Sequence, residues 1–125
     1  MIELKPVKQI PVTDIRPWGY FLVISNEQDY KIKKIIINPK SRLSYQYHNK
    51  RQETWVILSG NGIVTIDSNI SKVYPGSQIL IPPKSKHRIE NTSNTENLEF
   101  IEVQTGEYFG EDDIVRIQDD YGRIE

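Results

Sequence analysis

The residues of this chain that can do chemistry are its two histidines and the polar side chains close to them. His48 is preceded by Gln46 and followed by Glu53, whereas His87 lies much later in the chain. Two imidazoles, one carboxylate and one amide oxygen suit a borderline divalent metal. Zinc is the first expectation, with manganese, iron, cobalt or nickel as alternatives. Three or four protein ligands with an open coordination position are typical of a catalytic metal site.

These four side chains can meet only if the elements that carry them place them on one side. Successive side chains of a strand point to opposite faces, so Gln46 and His48 share a face. Glu53 can reach that face from the neighbouring strand, across the polar loop at 49–52, and a closed barrel can bring His87 opposite. Ordinary surface or core histidines are the competing interpretation, and the spacing alone does not decide between the two.

Composition excludes several classes of protein. The 125 residues correspond to one domain, and 37% hydrophobic with 26% charged residues is typical of a globular chain. A net charge of −1 provides no general attraction to nucleic acid or to an anionic membrane, and no apolar run approaches the length of a membrane span. The absence of cysteine excludes disulfides and thiolate ligands. The N-terminus lacks the apolar core of a signal peptide, so we expect a cytoplasmic protein.

Short runs rich in Ile, Val, Tyr and Thr, separated by turn residues, dominate the chain, and alanine is absent. This pattern predicts an all-β barrel or sandwich with little helix. Trp18 and Trp55 are predicted to pack in or at the rim of that barrel. The predicted strands are 20–25, 30–38, 43–48, 53–58, 62–67, 72–73, 78–81, 86–90 and 98–104.

The single domain, 1–125, divides into an N-terminal arm or edge strand at 1–15, a barrel at 16–104 and an acidic C-terminal tail at 105–125. Within the tail we predict a short helix at 111–117. The acidic runs at 111–113 and 119–120 are most simply solvated turns or a helix N-terminus.

Two stretches of the sequence resemble the paired motifs of the cupin superfamily. The first motif is matched by Gln46, in place of a histidine, and by His48, Glu53 and Gly60. The second motif is matched by Gly76, Pro82, His87 and Asn91. Lys40 and Lys84 stand where the family has glycines, and both departures fall in predicted turns.

The resemblance narrows to the type II phosphomannose isomerase domain, which in many bacteria forms the C-terminal part of mannose-1-phosphate guanylyltransferase/mannose-6-phosphate isomerase. The blocks that carry it span residues 15–123 and read RPWGYF, YKIKK, LSYQYHNKRQETWVILSG, PPKSKHRIEN, IEVQTGEYFGEDDIVR and DDYGR. The Gln-x-His pattern is this family's own variant, so Gln46 supports the assignment. Asn49, Lys50 and Thr54 depart from the family pattern, which bears on activity and substrate choice.

This resemblance implies a cupin-type double-stranded β-helix that interconverts mannose 6-phosphate and fructose 6-phosphate. A proton moves between C1 and C2 through a cis-enediol, which requires an electrophile, a base and a phosphate clamp. A metal on Gln46, His48, Glu53 and His87 is the implied electrophile. Small cupins often pair through N-terminal strands, so we expect a homodimer through residues 1–15. Another sugar-phosphate or nucleotide-sugar isomerase or epimerase, and a non-catalytic sugar-binding cupin, remain alternatives.

The base and the phosphate ligands are the remaining candidates. With both histidines assigned to the metal, the base is a carboxylate, a lysine, a tyrosine or metal-bound water, and strand position favours Glu102 and Lys33. An ordinary solvated or salt-bridged carboxylate is the competing interpretation of Glu102. Arg51 is favoured for the phosphate of a hexose phosphate, because it adjoins the metal loop and matches an arginine of the family motif. Arg88 and Arg16, together with Lys33, are further phosphate candidates.

Overall fold

The computed structural model describes residues 14–123, so most of the predicted arm, and the pairing of copies expected through it, lies outside the described residues. Within 14–123 the chain forms eleven strands and no helix. The strands are β1 (Asp14–Arg16), β2 (Gly19–Asn26), β3 (Tyr30–Ile37), β4 (Tyr45–Tyr47), β5 (Arg51–Ser59), β6 (Gly62–Ile66), β7 (Asn69–Val73), β8 (Gln78–Ile81), β9 (His87–Asn91), β10 (Leu98–Gly106) and β11 (Val115–Gln118). A helix long and apolar enough to cross a membrane does not occur in this range.

The strands form two antiparallel sheets with the core between them. The larger sheet has the order β1-β2-β3-β10-β5-β8, and the smaller has the order β11-β4-β9-β6-β7. The chain repeatedly changes sheet between successive strands, as it does from β4 to β5 and from β8 to β9. The predicted all-β double-stranded β-helix is therefore confirmed.

The interior of the barrel changes from apolar at one end to polar at the other. The inward, buried residues are Ile57, Trp55, Glu53 and Arg51 along β5, and Leu98, Phe100, Glu102 and Gln104 along β10. The apolar members belong to one hydrophobic cluster, which also contains Trp18. Burying each large apolar side chain stabilises the fold by about 1.5–3 kcal/mol. The apolar half of each strand thus holds in place the polar half, where the candidate site lies.

Two turns contain lysines in the left-handed region of φ, where glycine is favoured. Lys40 has a φ of 59° and Lys84 a φ of 68°, each at a cost of about 1–2 kcal/mol. These are the positions at which the cupin motifs have glycine, so the turn geometry is kept despite the substitution. The Lys84 turn also adjoins the site, because its amide donates to the carbonyl of His48 at 2.6 Å.

Two expectations about local structure are wrong. The segment 111–117 is not helical, because a turn at 111–112 leads into β11, whose backbone pairs with β4. The β-branched residues of this strand suit such a ladder better than an isolated helix. The strands around the 49–52 loop are not neighbours either, since β4 and β5 lie in different sheets. Glu53 therefore meets the histidines across the barrel interior and not along one sheet.

Candidate metal centre

Three strands and one loop bring the predicted metal ligands together. Gln46 lies on β4 directly opposite His87 on β9, and His48 follows the end of β4. Glu53 enters from β5 in the opposite sheet. One ligand atom from each of His48, Glu53 and His87 lies within 4.8 Å of the others, and all three side chains are buried. This His-Glu-His group can hold a metal ion.

The hydrogen bonds of the two imidazoles determine which nitrogen faces the centre. Nδ1 of His48 lies 2.6 Å from the carbonyl of Asp113, and Nδ1 of His87 lies 2.9 Å from the carbonyl of Ser85. A carbonyl oxygen can only accept, so Nδ1 carries the proton in both rings and the Nε2 lone pairs are left for another partner.

Both Nε2 atoms point at the carboxylate of Glu53. The Nε2 of His48 lies 3.1 Å from Oε2, and the Nε2 of His87 lies 3.9 Å from Oε1. Among the described residues, the Nε2 of His87 is buried without a hydrogen-bond partner. Acceptors that converge in this way, one of them unsatisfied, fit a cation between them.

The protonation states of the His48 and His87 rings agree with metal binding. Burial, reinforced by the nearby charge of Arg51 and by His87, lowers the pKa of His48 to about 4. Burial likewise lowers the pKa of His87. Both imidazoles are therefore neutral near pH 7, which is the form that binds a metal.

Gln46 occupies the fourth predicted ligand position. Its Nε2 lies 3.4 Å from the Nε2 of His48, and its Oε1 accepts a hydrogen bond of 2.6 Å from the hydroxyl of Ser44. The side chain is thus at the centre, and its amide must turn for the oxygen to face an ion there. Ser44 was not anticipated from the sequence, although its position two residues before Gln46 on the same face was visible.

Arg51 lies against the ligand atoms rather than at the edge of the site. Its Nε donates to Oε2 of Glu53 at 2.9 Å, and its Nη2 lies 3.4 Å from the Nε2 of His48. Burial opposes its charge, but Glu53 and Glu102 outweigh burial and raise the pKa of Arg51. The buried Nη1 has no hydrogen-bond partner within residues 14–123, so this guanidinium retains one donor for an anionic group.

Glu102 and Lys33 lie opposite each other on β10 and β3, and both line a cavity at the polar end of the barrel. The carboxyl of Glu102 accepts from the indole of Trp55 at 3.3 Å and from the amide of Gln104 at 3.0 Å. Burial first, and then the negative charge of Glu53, raise the pKa of Glu102 to about 7. The solvated-carboxylate interpretation of Glu102 is excluded, because the side chain is 5% exposed.

Lys33 is held as a buried cation. Its ammonium group pairs with the carboxylate of Glu111 and lies 4.2 Å from the ring centroid of Phe21. Glu111 belongs to the segment between β10 and β11, so this pair ties that segment to the wall of the barrel.

The other two arginine candidates for the phosphate, Arg16 and Arg88, lie in different parts of the structure. Arg16 lines the same cavity and pairs with Asp14. Arg88 does not line it, because it follows His87 on a strand and its side chain points to the opposite face. There Arg88 donates to the carbonyl of Leu43 at 2.8 Å. The prediction of Arg88 as a phosphate ligand at this cavity is therefore not supported by its position.

The C-terminal segment contributes residues that the sequence analysis did not identify. Arg116 and Arg123 line the cavity, and Asp113 is buried beside His48, contrary to the expectation of a solvated acidic run. The pairing of β11 with β4 brings them there. The only signal in the sequence was that arginines and paired acids recur in the tail, which does not reveal the contact.

The departures from the family pattern do not line the cavity. Asn49 and Lys50 are exposed, and Thr54 follows Glu53 on β5, so it points to the outer face of the sheet. None of the three is among the residues that line the cavity.

Comparison with solved structures shows the same fold. KdgF from Halomonas sp. has a TM-score of 0.71 and 11% identity, with 78% of this chain and 89% of that chain covered. The capsular polysaccharide assembling protein CapF from Staphylococcus aureus has a TM-score of 0.72 and 20% identity, with 90% of this chain and 33% of that chain covered. A cupin-2 domain protein from Rhodospirillum rubrum has a TM-score of 0.65 and 19% identity, covering 75% of this chain and 67% of that chain. These likenesses identify the cupin fold.

Comparison with curated proteins shows closer relatives in sequence. The alginate biosynthesis protein AlgA of Pseudomonas syringae pv. tomato is 41% identical over 108 residues, which cover 86% of this chain and 22% of the relative. The mannose-1-phosphate guanylyltransferase of Escherichia coli is 40% identical over 109 residues, which cover 87% of this chain and 23% of the relative. The chain thus spans less than a quarter of the length of these relatives.

A family model described as "Mannose-6-phosphate isomerase C-terminal" matches residues 5–119. The match includes His48, Glu53 and His87, together with Glu102 and β11. By this match, and by the resemblance of its motifs, the chain belongs to the mannose-6-phosphate isomerase C-terminal family, on a cupin fold.

Proposed function

We propose that this chain is a divalent-metal-dependent isomerase that interconverts mannose 6-phosphate and fructose 6-phosphate, with zinc as the preferred metal. The observation that carries the proposal is the convergence of two neutral imidazoles, His48 and His87, on Glu53, next to the buried carboxyl of Glu102. The family description and the mannose phosphate in the name of the Escherichia coli relative support the choice of substrate.

The ligand atoms of His48, Glu53 and His87 fit a divalent ion, and the buried Nε2 of His87 has no hydrogen-bond partner among the described residues. His48, His87 and Glu53 would hold it, with Gln46 as a fourth ligand once its amide oxygen turns inward. A metal bound there would supply a Lewis acid for the carbonyl and hydroxyl oxygens of the sugar.

Glu102 is the group best placed to move the proton. It accepts the C2 proton of the open-chain aldose, the C–H electron pair becomes the C1–C2 double bond, and the C1–O1 π pair moves to O1, which takes a proton from solvent. The O2–H electron pair then becomes the C2–O2 double bond as O2 releases its proton to solvent, and the C1–C2 π pair takes the proton of Glu102 at C1. A pKa of about 7 suits both halves of this transfer near neutral pH. Lys33, paired with Glu111, is better suited to balance the charge of Glu102 than to act as the base.

The phosphate of the substrate is separated from C1 and C2 by the length of the sugar. Arg51 contacts two of the ligand residues, so its remaining donor is placed for charge on the reacting oxygens. Arg16, Arg116 and Arg123 line the same cavity from β1, from β11 and from the residues after β11. We therefore assign the phosphate to these arginines.

The proposal is tested by a coupled assay for fructose 6-phosphate formed from mannose 6-phosphate, on zinc-loaded protein with and without chelator. We expect turnover that the chelator abolishes and that His48→Ala lacks. Glu99→Gln is the control, since Glu99 is part-exposed and pairs with Lys34 away from the cavity. Binding of hexose phosphates without turnover of any of them would instead favour a non-catalytic sugar-binding cupin. Turnover of a different sugar phosphate alone would change the substrate and keep the mechanism.

A further inference from the structure

The segment at 107–114, between β10 and β11, lies against the loop that follows His48. The amide of Glu107 donates to the carbonyl of Lys50 at 3.0 Å. The carboxylate of Asp113, 8% exposed, accepts from two successive amides of the same loop, those of Asn49 at 3.0 Å and Lys50 at 2.9 Å. The carbonyl of the same aspartate accepts from Nδ1 of His48 at 2.6 Å.

One residue therefore restrains His48 in two ways. Its carboxylate, through charge-assisted hydrogen bonds, fixes the backbone immediately after the histidine, and its carbonyl fixes the rotation and the tautomer of the ring. His87 is oriented differently, because its Nδ1 donates to Ser85, only two residues earlier in the chain. The orientation of His48 depends instead on a residue 65 positions later.

We propose that Asp113 is a positioning residue that holds the Nε2 lone pair of His48 toward the metal centre. Docking of the 107–114 segment is then part of building the centre, and the Glu111–Lys33 pair secures that docking from the other wall. The inference rests on the proposed metal role of His48, but the ring orientation that it concerns is measurable without metal and without substrate.

The test uses the fact that the chain has only two histidines, so their imidazole nitrogens can be followed individually by ¹⁵N NMR. In the metal-free protein near pH 7 we expect both rings as the Nδ1-protonated tautomer. Asp113→Ala keeps the backbone carbonyl but removes the carboxylate that anchors it to the loop. His48 should therefore become a mixture of tautomers while His87 keeps its own, because the Ser85 contact is untouched. Zinc affinity, measured by competition with a chelator, should fall by about 10- to 100-fold.

Two further variants separate positioning from folding. Asp113→Asn has the same shape and keeps one acceptor for the two loop amides, so we expect an intermediate loss of zinc affinity. Asp112→Asn is the matched control, since Asp112 is exposed, bonds to the hydroxyl of Tyr108 and should leave both readouts unchanged.

The inference is overturned if Asp113→Ala and Asp113→Asn both keep the His48 tautomer and the zinc affinity of the native chain. It is also overturned if His87 changes together with His48, since that result means general loosening of the barrel. Absence of isomerase activity in the native protein would count against the proposed function only, because the tautomers are read without substrate.

Discussion

Replacing Glu53 with glutamine tests the metal centre most directly. The carboxylate is 1% exposed, lies 3.1 Å from the Nε2 of His48 and accepts hydrogen bonds from Arg51 at 2.9 Å and from the indole of Trp55 at 3.0 Å. Glu53→Gln keeps the shape of the side chain and removes its charge. It therefore replaces a charged metal ligand with a neutral, weaker one and leaves the guanidinium of Arg51 without its carboxylate partner.

The metal-free protein should lose about 3 kcal/mol of unfolding free energy. Removing one partner of a buried ion pair costs about 3–5 kcal/mol, because the other charge stays buried without compensation. Here the cost falls at the lower end for two reasons. Glu102 also acts on the charge of Arg51, and the amide oxygen of the variant can still accept from Trp55.

Comparing the unfolding free energy with and without zinc separates the effect on the metal site from the effect on the ion pair. At zinc a thousandfold above the dissociation constant, binding stabilises the native protein by about 4 kcal/mol. Loss of the charge on a direct ligand should lower affinity by more than the roughly 100-fold that loss of an outer partner can cost. The zinc-dependent gain should then fall below about 1.5 kcal/mol at the same zinc concentration.

The assay is urea unfolding of both proteins, each with zinc and with chelator, and Glu99→Gln serves as the control of matched chemistry on the neighbouring strand. A zinc-dependent gain in Glu53→Gln equal to that of the native chain would refute the assignment of Glu53 as a ligand. Equal stability of the two chelated proteins would refute the argument from the buried ion pair.

Three further predictions use other contacts. Glu102→Gln should lower kcat for the isomerase by about 10²–10⁴-fold and leave zinc affinity unchanged. The coupled assay measures kcat, with Glu99→Gln as the control. An unchanged kcat would show that Glu102 is not the base. Gly60→Ala should destabilise the fold strongly, since Gly60 has a φ of 89° and an added Cβ would lie 2.4 Å from the carbonyl oxygen of Asn97; a urea midpoint like that of the native chain would contradict this. The Arg123 guanidinium lowers the pKa of Asp119 from 3.8 to about 2, so this pair stabilises the fold above pH 3.8 and the gain is lost as pH falls toward 2. Allowing for solvent screening, Asp119→Asn should cost roughly 1 kcal/mol at pH 7 and almost nothing near pH 1, below both pKa values, and an equal cost at both pH values would contradict the linkage.

The relation between sequence and structure is clearest in the two histidines. Strand alternation is local, so the pattern of β4 was enough to put Gln46 and His48 on one side, and the structure has both side chains in contact. The same alternation, applied to β9, places Arg88 outside the cavity because it follows His87. Strand alternation alone thus excludes Arg88 from the cavity, although its charge favours a phosphate.

The fold class followed from the sequence because it depends on short-range properties. β-branched and aromatic residues in short runs, with turn residues between them, allow few architectures other than a barrel or a sandwich. The polar residues at one end of β5 and β10 are also visible in the sequence as Glu53 and Glu102 within otherwise apolar alternation. Their burial is what distinguishes them from surface charges, and burial depends on the second sheet.

Only the tertiary structure determines which residues that are far apart in the chain come into contact. β4 and β5 are joined by a short loop yet lie in different sheets, so Glu53 faces His48 across the interior. The tail, expected to include a helix and solvated acids, instead adds β11 to β4 and buries Asp113 against His48. The sequence determines which side chains are able to bind a metal, because that is a property of each residue. Which of them meet, and which backbone carbonyl orients them, depends on contacts over tens of residues that local pattern does not encode.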